Sequence, residues 1–153
     1  MIDTFGIIDI LYQVLRGSQL FTDVEGVEPS EGIEGVEAFT AMNGAIYKVR
    51  RPDNSNKEDC VINCLPVSTD QLQRATANVN IYVPDISISL GGKPQYQPAF
   101  MRLQELSHIA ISILCEMNEE QYLYEISYQG LLKEESINQH FINLRIEFTN
   151  INL

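Results

Sequence analysis

The sequence predicts an α+β fold: a mostly antiparallel sheet of about five strands with two helices packed on one face, in the order α-β-β-β-α-β-β. Three observations predict it. The stretches NVNIYVP and HFINLRIEF alternate apolar and polar residues with the two-residue period of half-buried strands. Two other stretches, near Thr4–Arg16 and Ala99–Met117, repeat apolar residues every three or four positions, as amphipathic helices do. The strands are joined mainly by hairpin-type connections, which favour antiparallel pairing. With 153 residues, 44 % of them apolar, the chain has the size and composition of a single domain, 1–153, with a packed interior.

The first helix is expected to start at Asp3 or Thr4, either of which can cap it, and to end at Arg16-Gly17. Phe5, Ile8, Leu11, Tyr12 and Leu15 give it one wide apolar face. From Phe21 to Gly44 the periodicity dissolves into acids, glycines and isolated valines, with near-repeats EGVE, EGIE and GVE. We read 21–44 as a long loop or arm. In GAIYKVRR, Ala45, Tyr47 and Val49 alternate with Ile46, Lys48 and Arg50, and the turn-rich RPDNSNKED leads to CVINCL, so a β-hairpin is expected across Arg51–Asp59. NVNIYVP follows, with Val79, Ile81 and Val83 facing in, Asn78, Asn80 and Tyr82 facing out, and Pro84 closing the strand.

DISISLGGKPQYQP, with its Gly-Gly pair and two prolines, reads as a second long loop or arm over 85–98. Pro98 fits the first turn of the second helix, whose stripe runs through Leu103, Leu106, Ala110, Ile113 and Met117, opposite Arg102, Glu105, Ser112 and Glu116. QYLYEISY places Tyr122, Tyr124, Ile126 and Tyr128 on one strand face. HFINLRIEF places Ile142, Leu144, Ile146 and Phe148 on one face, and GLLKEESINQ is the polar connection between the two. The first and last elements are expected to be neighbours or edges of the assembly.

The net charge is −11, from 21 acids against 10 bases. A groove that neutralises phosphates needs a surplus of Lys and Arg, so nucleic acid is not an expected partner. The acids crowd the first 45 residues, where Arg16 is the only base. Lys48, Arg50, Arg51 and Lys57 follow at once. Such a layout pairs within a monomer or between neighbouring copies.

The three cysteines form no CxxC pair. On one strand Cys60 and Cys64 would lie about 13 Å apart at ~3.3 Å per residue, too far for a disulfide, so buried reduced thiols are expected for them and for Cys115. MIDTFGIIDILYQVL lacks the basic start of a signal peptide, and no apolar run reaches the roughly 18 residues of a membrane span. The expected compartment is a reducing cytoplasm, with no membrane partner.

Chemistry is sparse. His108 has Glu105 one turn before it, at the spacing of a surface pair, and no nucleophile is placed beside it. His140 begins a strand and reads as a rim residue. Neither belongs to an HExxH pattern; LGGKPQ lacks phosphate-loop spacing, and EGVEPSEGIEGVE lacks the regular oxygen ligands of a calcium loop. We therefore expect no catalytic residue, no metal, no cofactor and no enzyme activity, although a site built from His108 and Asp85 stays open.

Binding surfaces are better represented, since tyrosine-rich strand faces and open strand edges both recur at protein interfaces. NVNIYVPDI, the helix FMRLQELSHIAISILCEM and the closing INQHFINLRIEF, taken with the element order, resemble phage and prophage tail-terminator and tail-completion proteins. That resemblance implies a structural subunit forming a ring, usually a hexamer, between tail tube and head connector, made in a bacterial cytoplasm and then carried in the virion. It matches no residue-level signature. The subunit-interface candidates are Arg50, Arg51, Asn54 and Lys57 around the basic hairpin, Asn78, Asn80 and Tyr82 on the outward strand face, and Lys93 and Tyr96 in the second arm. Reversal of Arg50 and Arg51 to Glu is expected to weaken self-association and leave the fold intact. The alternative is a small-ligand-binding or regulatory domain using a cavity between helix and sheet.

Overall fold

The computed structural model describes residues 1–21, 41–117 and 122–151, with nothing said of the Ile151 side chain. The acidic run Glu25–Glu37, the Glu119-Glu120 pair and most of the expected first arm lie outside them. The elements run α1 (Thr4–Arg16), β1 (Ile46–Lys48), β2 (Asp59–Cys64), β3 (Leu72–Pro84), β4 (Ile86–Leu90), β5 (Lys93–Gln97), α2 (Phe100–Glu116), β6 (Leu123–Glu134) and β7 (Gln139–Ile151). The main sheet is five-stranded and mixed, ordered β1-β2-β3-β7-β6. Leaving aside β4 and β5, which pair only with each other, the order is the expected α-β-β-β-α-β-β.

Alternation decides the layers. Ala75, Ala77, Val79, Ile81 and Val83 of β3 are buried, as are Leu144, Ile146 and Phe148 of β7 and Cys60 and Ile62 of β2. They form one cluster with Ile7, Ile8, Leu11 and Leu15 of α1 and Leu103, Leu106, Ala110 and Leu114 of α2, so both helices cover the same face. Burying each large aliphatic side chain contributes about 1.5–3 kcal/mol, which makes this shared interior the main source of cohesion. Asp3 caps α1 by accepting from the Gly6 N–H at 2.7 Å. Phe5 departs from the expected apolar face and is 76 % exposed, because Ile7 takes the inward position on that turn.

Several local expectations are corrected. β1 and β2 are neighbours, but parallel, with Ile46 opposite Cys60 and Lys48 opposite Ile62, so no hairpin spans Arg51–Asp59. Val49, at φ 70°, turns the chain out of β1, and the loop then folds back over the start of β2, where Arg51 and Ser55 both bond the buried Asp59. β7 is interior, paired to β3 on one side and β6 on the other, and on the helix side it buries Leu144, Ile146 and Phe148. A bulge between Ile126 and Tyr128 moves Tyr128 off the face of Tyr124 and Ile126, so it stands opposite Arg145, whose guanidinium lies 5.3 Å from its ring. GLLKE continues β6 and leaves only a short turn before Gln139. Of the cysteines, Cys60 is buried, Cys64 half-buried and Cys115 exposed, where the sequence had implied three buried thiols.

Candidate assembly surfaces

The second expected arm has its own structure. β4 and β5 form an antiparallel ribbon closed by Gly91-Gly92, whose φ values of 60° and 77° suit a two-residue hairpin turn that L residues with a Cβ enter at a cost. Among the described residues, no helix or other strand lies against the ribbon. Its root is fixed. The Asp85 N–H donates to the Asn138 carbonyl at 3.0 Å, and the Asp85 carboxylate, buried, meets His140 Nδ1 at 2.7 Å. Ile86 and Leu90 point to one face, and Tyr96 to the other. Each is about half exposed, and Phe100 and Met101 at the start of α2 are more so.

The helix-free face of the main sheet is polar. Asn143 Nδ2 donates to Asn78 Oδ1 at 3.1 Å and to Asn80 Oδ1 at 2.7 Å, while Asn78 Nδ2 donates to Asn63 Oδ1 at 2.9 Å. Thr76 donates to Glu147 at 2.8 Å in the next rung. At the other end Tyr82 stacks on Phe141, ring centroids 4.7 Å apart, and carries Arg51 on its face. Burial raises the Tyr82 phenol above its ordinary value, with Arg51 pulling the other way and Glu134 adding to the rise. A solvent-open hollow of about 270 Å³ lies here, lined by Arg50, Arg51, Asn54, Tyr82 and Glu134 among others.

The interface candidates therefore fall into three groups. Arg50, Arg51, Asn54 and Tyr82 meet at this hollow, yet Arg51 is built into the fold. Its side chain is 11 % exposed, and it bonds Asp59 at 3.4 Å and Gln139 at 2.6 Å. Arg50 is exposed and paired with Asp53 at 2.7 Å, which raises its pKa through that hydrogen bond. Asn54 adopts φ 58° in the turn, and Lys57 is exposed. Asn78 and Asn80 spend their amides within the sheet. Lys93 and Tyr96 alone stand on the ribbon, exposed. The basic segment also pairs within the chain, through Lys48 to Asp9.

Ile86, Leu90, Phe100 and Met101 were missed as surface candidates. The alternating ISISL before Gly-Gly carried the signal of a hairpin, and the prolines on either side of QYQ masked it. The Asp85–His140 pair was missed too: Asp85 meets His140, while Glu105 pairs with Arg102 at 3.0 Å and His108 is exposed. Arg102 also bonds Glu58 at 2.6 and 2.9 Å, and these bonds raise its pKa against the lowering effect of burial. Among the described residues no group of three or more His, Cys, Asp or Glu is placed to hold a metal, and no helix is long and apolar enough to cross a membrane.

No protein-family model matches the chain, and no curated protein sequence matches it either.

Proposed function

We propose that this chain is a structural subunit of virion assembly, a tail-terminator or tail-completion protein that forms a ring at the junction of head and tail. The observation that carries this reading is the β4–β5 ribbon, which no other described helix or strand packs against, with its exposed apolar residues. A two-stranded ribbon is marginal in water when nothing packs on it. One held out from a well-packed domain, on a root fixed by Asp85 and His140, is the kind of element that finds its packing on another chain. The element order that resembles tail terminators supports the same role, with the tail tube and the head connector as further partners and six copies as the expected ring.

Native mass spectrometry and light scattering over a wide concentration range test the reading. A closed oligomer of fixed copy number, six by expectation, is the predicted result. A chain that stays monomeric at every concentration overturns it.

A further inference from the structure

We infer that β4 of one copy adds to the open edge of β6 in a neighbouring copy, so that each ribbon extends the next subunit's sheet; this rests on the ring reading above. The ribbon has two outer edges, and they are not equivalent. The two-residue turn makes Leu90 and Lys93 the bonded pair beside it, so alternation points the backbone groups of Ser89 and Pro94 outward. Pro94 has no N–H to give. The edge of β5 is thereby blunted, whereas β4 presents the full donors and acceptors of Ser87 and Ser89.

The accepting edge follows from the sheet order. Among the described residues β1 and β6 are the edges of the main sheet, and β1 is three residues long against five in β4. β6 has twelve residues, with Leu131 and Leu132 each exposed by more than two fifths on opposite faces. An added strand gives one of the two leucines apolar neighbours, since Ile86 and Leu90 lie on one face of β4, and sets Ser87 and Ser89 beside the other.

Charge selects the occupant. Copies of a chain with net charge −11 repel one another over most of their surface. The ribbon itself, 86–97, contains no carboxylate and carries Lys93, so it approaches an acidic copy without adding like charge. β6 carries Glu125, exposed, and Glu134, partly exposed, against the single base Lys133, so it presents a net negative charge to Lys93. Donor and acceptor surfaces differ, so the contact is head-to-tail and propagates from copy to copy, closing into a ring where the rotation permits.

The test joins amide hydrogen exchange of the full wild-type chain across its association range with native mass spectrometry of wild type and Ser89→Pro. The substitution removes one outward N–H from β4. Expected are slowed exchange in both 86–90 and 123–134 as the oligomer forms, and association weakened at least tenfold in the variant. An oligomer whose formation slows exchange in neither segment overturns the strand addition and leaves the ring reading standing. Open pairs protected at β4 and β6, with no closed ring, support the strand addition and overturn the ring. A wild-type chain that never associates overturns both. The wild-type exchange pattern decides the matter even if the proline disturbs the ribbon itself.

Discussion

The Arg51 guanidinium lies 3.7 Å from the centre of the Tyr82 ring, in the cation–π position, while its nitrogens bond Asp59 and Gln139. Asp59 is fully buried and also accepts from the Ala45 N–H at 3.1 Å and from the Ser55 hydroxyl. One side chain thus holds the loop after β1 against β2, β3 and β7 together. Arg51→Ala leaves a buried carboxylate without its cation and is expected to cost about 3–5 kcal/mol in urea unfolding. Lys at this position keeps the charge but loses the planar fork, and is expected to recover only part of the loss. Arg50→Glu, on an exposed side chain, is expected to leave the unfolding midpoint where it was. Equal effects of Arg51→Ala and Arg50→Glu would contradict the assignment of Arg51 to the fold.

The asparagine ladder gives a second expectation. Asn143 is nearly buried and donates to two side-chain oxygens at once. Asn143→Asp turns that donor into an acceptor facing Asn78 and Asn80, and is expected to destabilise by more than the ~1–3 kcal/mol of leaving the amide partners unsatisfied. Asn143→Ala should fall within that range. Thermal unfolding of the two variants side by side gives the order; an Asp variant as stable as the Ala variant would show that the ladder amides rotate to accommodate it.

The third concerns pH. Burial, and after it the neighbouring Asp59 charge, push the Cys60 thiol from an ordinary 9.0 up to about 12. Its folded pKa lies above the unfolded one, so the contribution of the protonated thiol is whole below pH 9 and is lost as pH rises from 9 towards 12. Stability is expected to fall above pH 9 with a component from this one group of up to ~1.4 kcal/mol per pH unit. Cys60→Ala is expected to lower stability at neutral pH through the cavity it leaves, and to flatten the alkaline slope. Denaturant titrations of both proteins near neutrality and above pH 9 compare the slopes; parallel slopes would rule out the buried thiol as their source.

The layers of the fold were legible in the sequence because alternation is a statement about burial. Val79, Ile81 and Val83 face in, and Leu144, Ile146 and Phe148 face in, as their spacing required. Strand direction was not legible in the same way. Nothing in IYK or DCVINC says parallel; that outcome depends on Val49 in a left-handed conformation and on an Arg51–Asp59 contact made through space. Tyr128 misled because one extra residue at Ser127 reverses the face of everything beyond it, and a bulge leaves no mark in composition. On the surfaces, Lys93 and Tyr96 were recognised, but the apolar residues beside them were read as connection. A ribbon that no other described helix or strand packs against has no buried stripe to reveal it.

The interior position of β7 has a consequence for how the chain acquires its structure. β7 follows every other element in chain order, yet it is the strand that joins the β1-β2-β3 half of the sheet to β6. Its ladder to β3 runs from Leu72–Ile151 at one end to Pro84–Gln139 at the other, with β4, β5, α2 and β6 intervening in sequence. A nascent chain emerging from the ribosome can therefore form the β2–β3 pair, but the β3 edge that β7 pairs with stays open until β7 has been synthesised. Closure is late and non-local, which makes folding slow by topology and leaves a window in which unfinished chains meet one another through the β3 edge. The strand order thus makes the β3 edge the part of the sheet that is completed last.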